Sequence, residues 1–456
     1  MSDTIAAIAT GEAVTAIGII RISGEIALTV ADNIFEPTDK SNLKQAKNRQ
    51  MYHGELKNEE GELVDVCMCA VFRAPYSYTG EDTVELYCHG SPTVLAEILK
   101  VLNRQGVRTA TPGEFTKRAF LNGKMDLTQA EAVIDIIEAE TLVVAKNAAA
   151  QLKGTVGQKV KHIYDNLLDI IAHFHAAIDY PDEDIDEFKM QDYLKTLTDA
   201  ENGLRELLKT YEKGCLLKDG IPTAIVGRAN TGKSSILNAM LGYERAIVTD
   251  IPGTTRDTIE EKIRVGNNLL HLIDTAGVRE TEDKVEQLGV ERTLAAMKKA
   301  KFVIVVLDAS EPLSAEDMEI MEKIPHNTPR VVAANKTDLK QALKREELEK
   351  LKIQICDVSA LTGEGIEDLI EAINKQFPEP KQIRAGEIIT NQRQSEALSK
   401  AVMHLKSAIV SITEAVTPDA LLTDIEIALS AIGELTGNVM KEEVISRIFE
   451  RFCVGK

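Results

Sequence analysis

The chain has no tryptophan, and phenylalanine and tyrosine bring aromatics to only 4% of its 456 residues. A membrane-binding amphipathic-aromatic surface has little to be built from. Long apolar runs are missing too: no stretch approaches the roughly 20 apolar residues that span a bilayer, although the overall hydrophobic content of 44% is ordinary for a globular protein. Basic charge is scarce. Against 72 acidic residues stand 53 lysines and arginines, for a net charge of −19. That argues against a broad nucleic-acid groove, which needs concentrated Lys and Arg; the local cluster Lys298-Lys299-Ala-Lys301 reads as a solvated helix face. The start, Met1-Ser-Asp-Thr, has no basic n-region, so a signal peptide is not expected and the cytoplasm follows.

Cysteine is sparse and scattered. Cys67 and Cys69 share one face of an expected strand; they are too few for a zinc site and read as small core residues. Cys88, Cys215 and Cys356 read the same way. Cys453 lies fourth from the end, but Gly455 and Lys456 do not fit a prenylation pattern. A neighbouring lysine favours its thiolate. The acidic run from Asp182 to Asp186 lacks the spacing of a calcium loop, and His173 and His175 nearby lack metal-ligand company.

What the chain does have is a phosphate loop near its middle. Gly227-Arg-Ala-Asn230-Thr231-Gly232-Lys233-Ser234 matches G-x-x-x-x-G-K-[ST] in full. The preceding run Thr223–Val226 predicts a buried strand, and Ser235–Leu241 predicts the start of a helix. Such a loop points backbone N–H groups at phosphate oxygens, and the helix N-terminus adds a favourable dipole. Lys233 is placed to reach the β and γ phosphates and Ser234 to hold Mg²⁺.

Three downstream motifs select the nucleotide. Asp274-Thr275-Ala276-Gly277 follows a strand-like run at 271–273 and suits the Mg²⁺ shell and γ phosphate. Asn335-Lys336-Thr-Asp338 follows the buried run Val331–Ala334. A carboxylate at Asp338 accepts from N1–H and the 2-amino group of guanine, a donor pair that adenine lacks. Ser359, Ala360 and Leu361 are expected to offer backbone N–H to guanine O6. In this order the motifs specify GTP. Between the phosphate loop and Asp274 lies a switch-like segment, Thr249-Asp250-Ile251-Pro252-Gly253-Thr254-Thr255, in which Thr255 is the expected second Mg²⁺ ligand. Ser235 completes the nucleotide-contacting set.

Two positions depart from simpler GTPases. Val278 stands where a Ras-like protein has the glutamine that orients the attacking water, so another group must do this, and carboxylates follow closely in the stretch 279–286. Asn230, inside the phosphate loop, presents a side-chain oxygen suited to a monovalent cation that neutralises charge beside the β–γ bridge.

The chain's organisation is tripartite. The first 119 residues alternate short strands and helices, an α+β pattern. Helical periodicity then dominates: Leu152, Val156, Val160, Ile163, Leu167, Ile171, Phe174 and Ile178 form one amphipathic stripe. Leu398, Val402, Leu405 and Ile409, then Leu422, Ile425, Leu429 and Ile432 form others. The two helical segments, 120–215 and 380–456, are expected to pack as one all-helical domain. An α/β P-loop GTPase domain with a mostly parallel sheet, 216–379, is expected to be inserted between them.

With these motifs in place, the whole chain resembles the MnmE (TrmE) family of tRNA modification GTPases. Besides the G motifs, the resemblance is carried by Asp3–Thr10 with Gly18–Gly24, by Ser77–Leu86, by Thr111–Asn122 running into Gly123–Leu127, by Ala177–Asp184, and by the C-terminal Phe452-Cys-Val-Gly-Lys456. Departures include Gly11–Ile17, where the family usually has a Pro/Gly-rich turn, and Pro252 in place of a common alanine. The resemblance implies a homodimer that works with the flavoprotein MnmG, which carries FAD, as a heterotetramer with no membrane role. Together they add an aminomethyl or carboxymethylaminomethyl group at C5 of the wobble uridine of certain tRNAs. A reduced folate, 5,10-methylene- or 5-formyl-tetrahydrofolate, supplies the one-carbon unit. It also implies hydrolysis activated by K⁺, held by Asn230, Thr249, Ile251 and Thr254, with Mg²⁺ on Ser234 and Thr255. Glu286 positions water and, with Lys233 and Cys453, makes the catalytic set; the N-terminal domain binds folate through Arg21, Glu85, Lys124 and Lys456. A ribosome-assembly GTPase shares the G motifs but has no need of the folate-like residues or the C-terminal cysteine. A membrane-remodelling GTPase would need a lipid-binding surface.

Overall fold

The computed structural model describes residues 3–11, 13–179, 190–243, 261–273, 295–349, 353–378, 384–414 and 418–456. They fall into two compact units. The first comprises 1–134, 151–204 and 396–456, the second 135–150 and 205–395.

The first unit is built on a seven-stranded sheet in the order β3-β4-β5-β6-β2-β1-β7. The strands are β1 (Ile5–Ile8), β2 (Thr15–Ser23), β3 (Phe35–Pro37), β4 (Gln50–Lys57), β5 (Leu63–Phe72), β6 (Thr83–Gly90) and β7 (Arg108–Thr109). All neighbours are antiparallel except β1 and β7. Period-two alternation separates the faces. Ile20, Ile22, Val84 and Leu86 join one core with α1 (Ala27–Ile34) and α2 (Pro92–Arg104). Arg21 and Glu85, directly paired across β2 and β6, alternate with them and belong to the other face. On that face α3 (Glu114–Leu121) places Phe115 in a small core with Ile5, Ala7 and Ala110.

The helical stripe from Val156 to Phe174 faces inward as read, and its start differs. A turn at 153–154 separates α5 (Leu142–Leu152) from α6 (Thr155–Asp179), so Leu152 ends one helix rather than beginning the next. Val156, Val160, Leu167 and Phe174 are fully buried, and α6 packs against the helix Pro418–Thr436.

The second unit holds a six-stranded sheet in the order β13-β12-β11-β8-β10-β9: β8 (Ile221–Val226), β9 (Glu261–Val265), β10 (Asn268–Leu272), β11 (Phe302–Asp308), β12 (Arg330–Asn335) and β13 (Gln354–Asp357). Only β9 runs antiparallel. Every residue of β11 is buried, as expected for a strand covered on both faces. The phosphate loop, Asp308, Asn335 and Ser359 thus gather where β8, β11, β12 and β13 end, the rim at which open parallel sheets bind ligands. Together the two sheets and the helices form an N-terminal mixed-sheet domain, a helical domain and a P-loop GTPase-like domain.

Candidate functional site

The phosphate loop leaves β8 and enters helix α9 (Lys233–Tyr243). Asn230 has φ 61°, a left-handed conformation that asparagine tolerates better than most residues, and its side chain is exposed. Gly232 has φ 93°, and a Cβ there would lie 2.2 Å from Asn335 Nδ2. Thr231 is buried, its hydroxyl donating to the Arg228 carbonyl at 3.1 Å. Ser234 and Ser235 lie in the first turn of α9, half-buried and exposed respectively.

Lys233 curls over the loop, donating to the carbonyls of Gly227 at 3.0 Å and Arg228 at 2.8 Å. Burial pulls its ammonium below the ordinary lysine range, with Glu316 opposing. A desolvated ammonium held, among the described residues, by two carbonyls is suited to an anion. Arg228 points away, pairing with Asp317 at 2.8 Å and Glu311 at 3.0 Å. Asp317 also closes the capping box with Ser314 that starts the helix Ala315–Glu322. The loop is therefore tied to a helix outside its own motif.

The base-reading motif is joined to this loop. Buried Asn335 donates Nδ2–H to the Thr231 carbonyl at 2.9 Å and accepts the Ala360 N–H at Oδ1 at 3.0 Å. Lys336, at φ 67°, pairs with Asp308 at 2.6 Å. Burial would raise the Asp308 carboxyl, but Lys336 and Ser310 outweigh it and hold it below its usual range. Asp338 is exposed and accepts the Ser359 hydroxyl at 2.6 Å. Of the expected O6 donors, the Ser359 N–H goes to the Glu364 carbonyl at 2.9 Å and that of Ala360 to Asn335. The Leu361 N–H has no partner among the described residues, and Leu361 is 85% exposed. The switch residues Thr249, Asp250, Ile251, Pro252, Gly253, Thr254 and Thr255, the segment Asp274, Thr275, Ala276, Gly277 and Val278, and Glu286 lie outside the described residues.

The first unit gathers the second set. Arg21 Nε donates to Glu85 Oε1 at 2.8 Å, and Nη1 donates to the Gly455 carbonyl at 3.3 Å. Its guanidinium lies 5.4 Å from the ring centroid of Tyr78 and 5.6 Å from that of Phe115, within cation–π range. Tyr87 donates to the second Glu85 oxygen at 2.7 Å. The tail is fixed by backbone bonds: Phe115 N–H to the Lys456 carbonyl at 3.2 Å and Gly113 N–H to the Cys453 carbonyl at 3.3 Å. Gly455 has φ 96°, and a Cβ would lie 2.3 Å from the Ile8 carbonyl. Lys124 is exposed and donates to the Pro75 carbonyl at 2.7 Å, beside Gly80 on the loop that carries Tyr78. Cys453 is a free, exposed thiol. Sequence reasoning named Arg21, Glu85 and Lys456 but passed over Tyr78, Phe115 and Gly455, which lie inside the very stretches that carry the resemblance.

Comparison with known proteins covers both sites. A family model described as the MnmE helical domain matches residues 127–453. One described as the GTP-binding protein TrmE N-terminus matches residues 4–124. The protein named tRNA modification GTPase MnmE in Thermoanaerobacter pseudethanolicus is 41% identical over 458 residues, covering 100% of this chain and 99% of that one. Its namesake in Clostridioides difficile is 40% identical with 100% of both chains covered. That in Lachnoclostridium phytofermentans is 43% identical, again over 100% of both. With full-length identity at this level and both family models matched, the chain belongs to the MnmE family of tRNA modification GTPases.

Proposed function

We propose that this chain is a K⁺-activated, Mg²⁺-dependent cytoplasmic GTPase that acts as a homodimer with an FAD-carrying partner of the MnmG type, in a heterotetramer. Together they add an aminomethyl or carboxymethylaminomethyl group at C5 of the wobble uridine of certain tRNAs, with a reduced folate as one-carbon donor. The observation that carries this reading is the pairing of two built sites in one chain of this family: a guanine-specific phosphate-loop site, and the Arg21–Glu85 pair closed by the Cys453–Lys456 tail. A stand-alone switch GTPase needs only the first.

The residues present fit the groups proposed. Lys233, half-buried and without a carboxylate partner among the described residues, suits the β and γ phosphates. Asn230 and Ser234 stand on the loop where K⁺ and Mg²⁺ would be held, and these ions supply positive charge facing the bond that breaks. Asp338 accepts from the guanine edge, and Asn335 holds the phosphate and base loops in register. In the N-terminal domain, Arg21 offers a guanidinium already fixed by Glu85 and two aromatic faces, suited to the polar edge of a pterin, with Lys124 and Lys456 as flanking cations. The net charge of −19 leaves the partner to supply most of the basic surface for tRNA. Glu286 is proposed to position the attacking water, and Cys453 to be a reactive group of the tail.

Nucleoside mass spectrometry of tRNA from a strain lacking this chain tests the proposal. The C5 modification of wobble uridine should disappear and return on complementation. Intact wobble nucleosides with a defect in ribosomal subunits would favour an assembly GTPase instead.

A further inference from the structure

The first unit contains a buried sulfur–carboxylate cluster on the sheet face opposite Arg21 and Glu85. Asp65 and Cys67 lie two residues apart on β5 and so share a face. One step beyond the Met68–Tyr87 pair of the β5–β6 ladder, Cys67 meets Cys88, with the two Sγ atoms 3.9 Å apart. A carboxylate oxygen of Asp65 and both sulfurs all lie within 4.8 Å of one another. Cys67 is 5% and Cys88 2% exposed, and the Asp65 side chain is 9% exposed.

We propose that Asp65, Cys67 and Cys88 form a zinc site, with a water molecule as fourth ligand. The distance favours it. Tetrahedral zinc with Zn–S bonds of about 2.3 Å sets its two sulfurs roughly 3.8 Å apart, which the observed 3.9 Å already meets. A disulfide requires about 2.05 Å, so the two sulfurs would have to approach by nearly 2 Å. The ligand set fits as well: two thiolates and a carboxylate suit zinc better than harder or redox-active ions. Asp65 has the outer support that ligating carboxylates usually show, accepting Nδ1–H of His89 at 2.7 Å and its backbone N–H at 2.9 Å.

Charge bookkeeping raises no obstacle. Binding exchanges two thiol protons for one divalent ion, two S–H bonds giving way to two S–Zn bonds. The cluster keeps a charge of −1, and no additional net charge is buried. The ion would clamp β5 to β6 at the end opposite the Ala70–Glu85 pair.

Cobalt is the optical probe for such a site. The full-length chain, stripped of metal and fully reduced, should take up one Co²⁺ with sulfur-to-metal charge transfer in the near ultraviolet and tetrahedral visible bands. Two protons should be released per ion, and Zn²⁺ should displace the cobalt. Cys88→Ser should weaken binding at least ten-fold and remove half of the charge-transfer intensity. Asp65→Asn should weaken binding while keeping that intensity, and it guards against a folding defect in the cysteine variant. Cys69→Ser, next on the same face but outside the cluster, should bind as the parent does. No stoichiometric Co²⁺ uptake by the folded parent would overturn the proposal, as would uptake unchanged in Cys88→Ser. So would a count of four rather than six free thiols in the denatured, unreduced chain, which would mean a Cys67–Cys88 disulfide.

Discussion

Asn335 holds the Thr231 carbonyl with one side-chain atom and the Ala360 N–H with the other, at 2.9 and 3.0 Å. The loop for phosphate and the loop for the base are therefore fastened to each other through one amide. Removing it leaves two polar backbone groups without their partner, at about 1–3 kcal/mol each. Asn335→Ala should lower GTP affinity ten- to several-hundred-fold, measured with a fluorescent guanine nucleotide. Asn335→Asp keeps the acceptor but loses the donor, and should fall between. Unchanged affinity in the alanine variant would refute the fastening role.

The exposed Asp338 carboxylate, held by Ser359 at 2.6 Å, predicts a specificity change. Asp338→Asn presents an N–H where guanine also presents one. GTP binding should drop by about two orders of magnitude, because a lost charge-assisted hydrogen bond costs about 1.5–3 kcal/mol. Xanthosine triphosphate, with a carbonyl in place of the 2-amino group, should bind the variant better than the parent. Competition binding of the two nucleotides reads the outcome; a parallel loss of both would point to collapse of the loop.

How far the sequence disclosed these sites depends on how local the cause is. Strand–loop–helix around Gly227 and the buried run Val331–Ala334 of β12 were readable because neighbouring residues fix them. The Arg228–Asp317 and Lys336–Asp308 pairs were not, because 89 and 28 residues separate the partners and no periodicity links them. The Arg21–Gly455 bond spans 434 residues, and only the family resemblance brought the tail to the N-terminal sheet. The grouping of Asp65, Cys67 and Cys88 was not readable because strand register, not spacing, brings Cys88 beside Cys67. The break after Leu152 was hidden because the apolar spacing continues across the turn.

Glu114 predicts an acid limb in the stability of the first unit. Burial would raise its carboxyl, but bonds from Arg108, the Thr111 N–H and Arg118 outweigh burial and hold it at about 2. A carboxyl depressed on folding contributes stability above its unfolded value of about 4.3 and loses it as pH falls through that value toward the folded one. Unfolding midpoints in denaturant should therefore fall between about pH 4.5 and pH 2 on this account. Glu114→Gln should be less stable at neutral pH and show a flatter slope across that window. An equal slope in both proteins would remove Glu114 as its source.

Asn230 carries the potassium assignment on a loop where it already adopts φ 61°. If its oxygen helps neutralise charge at the β–γ bridge, GTP hydrolysis should be at least ten-fold faster in K⁺ than in Na⁺ at equal ionic strength. Asn230→Ala should erase the difference while leaving GTP affinity within a few-fold. Equal rates of the parent in both salts would dismiss the assignment.

Arg21 is the group whose loss should separate the two sites functionally. Its guanidinium is bound to Glu85 at 2.8 Å and to the Gly455 carbonyl at 3.3 Å, so Arg21→Ala removes the cation, its contact with the Tyr78 and Phe115 rings, and one anchor of the tail. Hydrogen bonds to a charged group contribute about 1.5–3 kcal/mol, so reduced-folate affinity should fall ten- to hundred-fold by equilibrium dialysis. Arg21→Lys retains charge but not the paired geometry and should recover little of it. The GTPase rate should be unchanged in both, because the phosphate loop is built within the second unit. A folate affinity equal to the parent's would exclude Arg21 from that site, and a matching loss of GTPase activity would mean that the substitution had disturbed more than the N-terminal domain.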